Sequence, residues 1–267
     1  MDAIFQTLSI GITRQVRVVT ALTIREVRIR NGKNAFMQLF DLLEALVFII
    51  VHWIIFSYMH RTLLVGDSLL LFITTGIFPV LFFRTMSIRA ASAIEAAKSV
   101  VAVPLVEALD YSLARVFVEF LSFSLMFMFF FAGIEAFGLS KFAIPYNPIA
   151  VVEFALLMPL LALGVGLVNS SLIFVFPLWK FAWSMISRVQ IFFSAVFFIP
   201  EYMPPAVKNI LAYNPMLHFV ALFRTGFYPT YPTHLLSKMY ILQWTFGALV
   251  TGLAAERLLR KRRVNHK

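Results

Sequence analysis

Six apolar stretches, each close to the length of a membrane-spanning helix, restrict the fold of this chain more than any other feature. We expect spans at residues 42–59, 68–83, 113–134, 149–176, 181–199 and 239–256. A helix needs about 20 mostly apolar residues to cross the hydrocarbon core of a bilayer. Only 13% of the 267 residues are charged, whereas a soluble domain has about 25%. The sequence therefore predicts an all-α membrane protein, with residues 1–267 forming one transmembrane domain.

The distribution of lysine and arginine predicts the orientation of these spans. If the N-terminus is cytoplasmic, the segments on that side carry 18 of the 23 Lys and Arg, and the opposite segments carry 5. Cytoplasmic loops of membrane proteins carry this excess of positive charge. We therefore expect both termini in the cytoplasm. Because the basic residues cluster at predicted membrane edges and form no single stripe, nucleic acid is not an expected partner.

Two cytoplasmic segments have patterns of their own. In residues 11–33, a basic arc that includes Arg14 and Arg28 lies opposite an apolar face, which is typical of an amphipathic helix in the membrane interface. The alternative is an ordinary cytoplasmic helix packed on the bundle. Residues 87–99 are rich in alanine, the best helix former, and predict a short coupling helix that docks on a partner. The alternative is a simple connector.

The segment between the last two spans, residues 200–238, lies on the predicted periplasmic side. It contains six of the twelve prolines, yet it stays strongly apolar and aromatic. A water-exposed loop would be more polar, and Pro215 prevents one continuous span. Irregular backbone at membrane depth is tolerated where protein covers it. We therefore expect two short re-entrant helices in this segment.

Sequence motifs for catalysis are absent from the chain. It has no G-x-x-x-x-G-K-[ST] loop for phosphates and no H-E-x-x-H or G-x-S-x-G motif. Its five histidines do not have the spacing of metal ligands. We therefore expect no catalytic residue, no metal site and no cofactor in this chain.

Polar and aromatic residues near the predicted span ends indicate a path for a substrate. Charged side chains and tryptophans lie at the cytoplasmic ends of spans 2, 3 and 5, and these residues are Arg84, Arg115, Glu119, Lys180, Trp179 and Trp183. Cations and aromatic faces of this kind suit an anionic, sugar-like molecule. The alternative is a set of snorkelling cations and an interfacial aromatic belt. His52, in the middle of span 1, either lines a pore or forms a hydrogen bond between helices.

The order of these elements resembles the permease subunits of type-2 ABC exporters. The local motifs are most similar to the inner-membrane permeases of capsular polysaccharide export in Gram-negative bacteria. These motifs are T-I-R-E-V-R-I-R-N-G-K at Thr23–Lys33, Y-M-H-R-T at Tyr58–Thr62, R-A-A-S-A-I-E-A at Arg89–Ala96 and Y-N-P-M-L-H-F-V-A-L-F-R at Tyr213–Arg224. The resemblance covers essentially the whole chain.

The resemblance implies a homodimer in the bacterial inner membrane with two copies of a separate ABC ATPase, which would hold ATP and Mg. It also implies a lipid-linked, acidic polysaccharide as substrate, passed on to periplasmic and outer-membrane export proteins. By that likeness the ATPase would contact Glu26, Arg28, Arg89, Ser92, Glu95 and Lys98. Arg224, at the end of the re-entrant motif, joins the residues expected along the substrate path.

Three other functions stay open at this point. A permease of the same superfamily could export O-antigen, teichoic acid or a drug-like molecule. An integral-membrane acyl or glycosyl transferase would need a compact acidic or histidine site near one interface, which the sequence lacks. A secondary carrier would need ionisable residues at mid-membrane in symmetrical positions, and only His52 has such a position. A neighbouring gene for an ATPase would favour the exporter.

Overall fold

Helices make up the framework of the protein. The computed structural model describes residues 2–60, 62, 63, 65–96 and 107–265, and for residues 2–10, 12, 30–42, 94–96, 108 and 261–265 it describes the backbone alone. In that part of the chain there are eight α-helices and no strand. They are α1 (Asp2–Tyr58), α2 (Leu69–Ala96), α3 (Ala108–Ala136), α4 (Pro148–Val175), α5 (Trp179–Phe193), α6 (Pro205–Leu211), α7 (Pro215–Thr225) and α8 (Lys238–Asn265).

The interface helix predicted at 11–33 is not a separate element, because it continues into the predicted first span as the single helix α1. The segment between them contains no proline, and the Asn31–Gly32 pair is a weak breaker. One glycine inside a helix costs only about 1 kcal/mol. The 57 residues of α1 extend for about 85 Å, twice the thickness of a bilayer with its headgroups. Much of α1 therefore lies outside a single membrane crossing.

The predicted second span and coupling helix are also continuous. The helix α2 runs through Arg84 and Thr85, where we expected a break, and ends at Ala96. No proline or glycine lies between residues 84 and 96, so nothing in the local sequence stops the helix. Residues 97–99 of the predicted coupling helix lie outside the described residues.

Three helices of the described part are long and apolar enough to cross a membrane: Leu69–Ala93, Leu109–Ala136 and Pro148–Val175. A shorter apolar segment, Leu43–Tyr58, forms the end of α1. The fifth predicted span, 181–199, is shorter than expected. Its helix α5 has 15 residues, or about 22 Å, and the chain turns soon after it through Ala195, whose φ is +58°.

The segment expected to hold two short helices contains α6 and α7, and each begins with a proline at its first turn. Every residue from Met216 to Arg224 in α7 is buried. This helix packs against α2, α4 and α8. It is therefore part of the core of the bundle.

Aromatic side chains from α2, α3, α4 and α7 fill this core. Phe78 stacks on Phe223 with ring centres 5.8 Å apart, and Phe131 stacks on Phe227 at 4.6 Å. Aromatic pairs of this kind contribute about 0.5–1.5 kcal/mol beyond their buried area. Phenylalanine pairs thus join α7 to α2, and the residues just after α7 to α3.

Candidate functional site

A buried polar network joins α1, α2 and α3 at the end of the bundle that the sequence predicts to be cytoplasmic. Glu26 of α1 is only 6% exposed. Arg115 of α3 lies with its Nε 3.1 Å from Glu26 Oε1, and the Tyr111 hydroxyl donates to Glu26 Oε2 at 3.1 Å. Arg115 Nη1 also donates to Ser92 Oγ of α2 at 3.1 Å. One guanidinium therefore links three helices.

A second buried carboxylate lies further along α3. Glu119 is 2% exposed, and its Oε1 is 3.4 Å from Arg89 Nε of α2. Nearby, the Ser112 hydroxyl donates to the carbonyl oxygen of Ala90 at 3.3 Å. A buried charge is strongly destabilising unless it is paired. These pairs therefore hold the C-terminal end of α2 in a defined position against α3.

The start of α3 is linked to the basic end of α8. Glu107 and Asp110 form a reciprocal capping box at the N-terminus of α3. Arg260 Nη2 of α8 lies 2.9 Å from Glu107 Oε1. Gln15 of α1 donates to Asp110. The network thus includes four of the eight helices.

The alanine surface of α2 is used within the chain. We expected its small side chains to let a partner approach, but Ala90 and Ala93 are completely buried. Ala93 packs with Leu22 of α1 and Tyr111 of α3, and Gly166 of α4 lies against Ala90. The alanines therefore allow helices of the same chain to approach closely.

The residues expected to contact an ATPase differ in their exposure. Arg28 is exposed, whereas Glu26 is buried. Arg89 and Ser92 are partly buried and bind groups of α3. The Glu95 side chain and the whole of Lys98 lie outside the described residues.

The residues expected along the substrate path do not form one cluster within the chain. Arg84 pairs with Glu44 of α1 at 3.1 Å. His52 stacks on Phe197 with ring centres 4.9 Å apart, and its Nδ1 lies 2.8 Å from the Phe48 carbonyl oxygen, so this nitrogen is the donor. Lys180 is exposed at the start of α5.

The remaining members of that set have other surroundings. Arg115 belongs to the buried network described above. Trp179 and Trp183 line a groove between α4, α5 and α8. Arg224 is 0% exposed and donates to backbone carbonyl oxygens, including Ala195 at 2.8 Å and Val196 at 2.6 Å.

Sequence reasoning did not predict the pairing of Glu26 with Arg115, although a general signal existed. A charged residue near a membrane-spanning segment needs a partner, and Glu119 and Arg115 both lie in an apolar stretch. Asp67, next to the predicted second span, also has partners that the sequence analysis did not predict. It accepts hydrogen bonds from Ser140 Oγ at 2.5 Å and from the Lys141 N–H at 2.8 Å. Within the described ranges, no three His, Asp or Glu residues lie close enough to hold a metal ion.

Comparison with known proteins gives a consistent set of relatives, although no family model matches the chain. It is 30% identical to the polysialic acid transport protein KpsM of Escherichia coli over 253 residues, 92% of this chain and 95% of the relative. It is 28% identical to the capsule polysaccharide export inner-membrane protein CtrC of Neisseria meningitidis serogroup A over 90% of each chain. The capsule polysaccharide export inner-membrane protein BexB of Haemophilus influenzae is 27% identical over 80% of each chain.

Proposed function

Because this chain belongs to the family of capsule polysaccharide export inner-membrane proteins, we propose that it is the transmembrane subunit of an ATP-driven exporter. It moves a lipid-linked, acidic capsular polysaccharide across the bacterial inner membrane. The observation that carries this proposal is the similarity to KpsM, which extends over 92% of the chain. The chain itself performs no catalysis, and it lacks the sequence of a phosphate-binding loop.

The working unit in this proposal is a homodimer with two copies of a separate ATPase subunit. The ATPase binds ATP and Mg, and periplasmic and outer-membrane export proteins receive the polymer. Six spans and two cytoplasmic termini follow if the apolar end of α1, α5 and α8 cross the membrane together with α2, α3 and α4. The excess of Lys and Arg on one side supports that orientation, and α6 and α7 are then the re-entrant helices.

The buried network supports a route by which ATPase movement reaches the transmembrane helices. In this proposal the ATPase contacts the cytoplasmic end of α2 and the exposed Arg28 of α1. Displacement of α2 is passed to α3 by the Arg89–Glu119 pair and to α1 by Arg115, which binds Ser92 and Glu26 together. Short, buried ion pairs resist stretching better than exposed ones, because water does not screen them.

The acidic polymer needs accessible cations along its path. Lys180 is exposed and Arg84 is partly exposed, so we propose that they face the polymer in the dimer, together with His52. Arg115 and Arg224 are enclosed by their own protomer, so we assign them a role in positioning helices.

Export is tested in the bacterium that carries the gene. Deletion is expected to remove polymer from the cell surface and to leave it in the cytoplasm, and the intact gene restores export. Glu95→Lys is expected to uncouple export and release the ATPase without preventing membrane insertion. Lys180→Glu should lower export more than ATPase association, whereas Lys208→Glu on the predicted opposite side should leave both unchanged. Surface polymer that persists after deletion would refute the proposal.

A further inference from the structure

A groove of about 480 Å³ lies between α4, α5 and α8. Trp179 and Trp183 of α5 form one wall, Asn169 of α4 forms the floor, and Trp244 and Gly247 of α8 form the other wall. Nearly all of its lining is apolar and the groove is open, with Leu172 and Trp244 of the lining exposed at the surface of the protein. Its volume lies within the range of about 300–1,000 Å³ found for small-molecule sites.

Two buried N–H donors in this groove lack acceptors within the described residues. The Trp179 indole N–H donates to Asn169 Oδ1 at 2.7 Å. An indole nitrogen can only donate, so the Asn169 oxygen must face it and the amide nitrogen points elsewhere. That nitrogen and the Trp183 Nε1 are both buried without a partner, and Asn169 is only 2% exposed. An unpaired buried donor costs about 1–3 kcal/mol, so both donors favour an acceptor from outside the chain. Both nitrogens are enclosed in this conformation, so binding such an acceptor requires a small rotation of the Trp183 indole and of the Asn169 amide.

Both donors lie near one end of their helices. Asn169 is six residues before the end of α4, and Trp183 is four residues after the start of α5, which corresponds to depths of about 9 and 6 Å. The headgroup layer of a bilayer is about 5–7 Å thick on each side. If the facing ends of α4 and α5 lie at the membrane surface, as in the six-span topology proposed above, the donors are level with the boundary between headgroups and hydrocarbon, where the ester groups of a phospholipid lie.

We infer that this groove binds a diacyl glycerophospholipid of the bilayer. Its ester carbonyl oxygens accept hydrogen bonds from Asn169 Nδ2 and Trp183 Nε1, and an acyl chain lies along α8 beside Gly247 and Trp244. A Cβ at Gly247 would meet no atom within 4 Å, so the glycine leaves this part of the groove open. The inference goes beyond the proposed function; it rests on the six-span topology proposed above, but it does not depend on which polymer is exported.

The chemistry of the groove favours a lipid over a sugar. A sugar carries many hydroxyl donors, and each loses free energy on burial unless it finds an acceptor. The two buried groups without a partner here are donors, and the Thr251 hydroxyl is already bonded to the Gly247 carbonyl of its own helix. The Gln243 amide also lines the groove, but it is exposed to solvent. A carbonyl oxygen needs only donors, and a hydrocarbon chain matches the apolar walls.

The test uses the full-length permease with its ATPase in liposomes of phosphatidylethanolamine and phosphatidylglycerol. These contain a phosphatidylethanolamine with a diazirine in one acyl chain, and the crosslinked peptides are identified after illumination. Label is expected on residues 165–172 and 243–251. Gly247→Leu should reduce it about tenfold, the factor given by 1.4 kcal/mol. Gly133→Leu is the matched control, because a Cβ at Gly133 in α3 also meets no atom within 4 Å.

Asn169→Leu removes one donor at similar side-chain volume, together with the acceptor of the Trp179 indole. Trp183→Phe removes the other donor together with part of the ring, and each variant should reduce the label several-fold. These two variants carry the test if Gly247→Leu does not fold. Two outcomes would mean annular lipid only and overturn the inference. One is label that all three changes leave unaltered, and the other is label that is equally strong on the exposed face of α3. Displacement of the label by soluble polymer fragments, and not by added phospholipid, would overturn it in favour of a sugar site.

Discussion

The guanidinium of Arg224 in α7 lies 4.0 Å from the centre of the Phe72 ring in α2, and its Nη2 donates to the carbonyl oxygen of the same residue at 3.1 Å. Its other hydrogen bonds reach the turn after α5, at Ala195 and Val196. Gly76 leaves room for this arrangement, since a Cβ there would lie 2.6 Å from Arg224 Nη2. A single cation thus holds together α2, α7 and the irregular segment that follows α5.

Arg224→Met is expected to lower the stability of the protein more than any change of an exposed cation. Each carbonyl that loses its buried donor costs about 1–3 kcal/mol. Thermal unfolding in detergent, followed by tryptophan fluorescence, measures the effect, and Lys208→Met on α6 is the control. If Arg224→Met keeps the wild-type melting temperature but abolishes export, Arg224 contacts the substrate and the positioning role is wrong.

Glu26→Gln and Arg115→Met are each expected to be strongly destabilising. Breaking a buried ion pair from one side leaves an unpaired buried charge, at a cost of about 3–5 kcal/mol. The double variant should lose less than the sum of the two single losses, because no charge is then left alone. The four melting temperatures of this cycle test the pair. Strictly additive losses would show that the two residues do not interact.

Arg28 and Glu26 should differ in the property that their replacement affects. Arg28 is exposed on α1, so Arg28→Glu is expected to weaken co-purification of the ATPase at unchanged melting temperature. Glu26→Gln should instead lower the melting temperature, because Glu26 is buried. Arg14→Glu, on the same basic face but farther towards the N-terminus, is the matched control for charge. Full ATPase recovery with Arg28→Glu would remove Arg28 from the interface.

The contact between α4 and α8 depends on two glycines. A Cβ at Gly164 would lie 2.5 Å from the backbone of Ala248 and Leu249, and one at Gly252 would lie 2.5 Å from the Gly164 carbonyl oxygen. Gly164→Val should therefore separate the helices and reduce the amount of folded protein in the membrane. Gly133→Val has open space around it and should be tolerated. Equal expression of both variants would contradict the close contact.

The Asp67 carboxylate, just before α2, should contribute stability that the protein loses at low pH. Burial alone would raise the pKa of this carboxyl, but hydrogen bonds from the Lys141 N–H and the Ser140 hydroxyl, with the Lys141 charge, hold it below its usual value. Because the pKa is lower in the folded state, ionised Asp67 contributes its full stabilisation to the folded protein above the unfolded pKa of about 3.9. It is lost as the pH falls through the folded value.

Asp67→Asn is therefore expected to lower the melting temperature at pH 7 and to reduce its dependence on pH below about 4. The effect is modest, because Asp67 is exposed to solvent. Melting curves from pH 3 to pH 7 measure it, with Glu135→Gln as the control for a nearby exposed carboxyl. An unchanged acid limb in Asp67→Asn would show that the two hydrogen bonds do not hold the carboxylate.

Hydropathy located the helices well but not their ends. The first two predicted spans match parts of α1 and α2 to within one residue at the ends they share, yet the sequence divided each helix in two because polarity changes along it. Backbone hydrogen bonding continues through such a change when no proline interrupts it. The fifth span was predicted too long for the opposite reason, because the apolar residues after Phe193 are in an irregular segment that Arg224 and α7 cover.

The candidate site was predictable only as a set of residue types. Glu26, Arg89, Ser92 and Arg115 were all identified in the sequence as functional residues, but as contacts to an ATPase or a polymer. Their pairing joins residues 23 to 89 positions apart, and no local pattern contains that information. Arg28 and Lys180 are exposed, so the roles that the sequence suggested for them, contact with an ATPase and with the polymer, remain proposals.

The sequence by itself determined that this is a helical membrane protein, which segments are apolar enough to be buried, and which family the motifs resemble. These properties depend on composition and on residues near each other along the chain. The tertiary structure decided which charges are neutralised inside the protein, that Arg224 binds backbone carbonyls, and that three tryptophans and an asparagine form one groove. The reason is physical: a buried charge or donor is stable only beside its partner, and folding alone brings distant partners together.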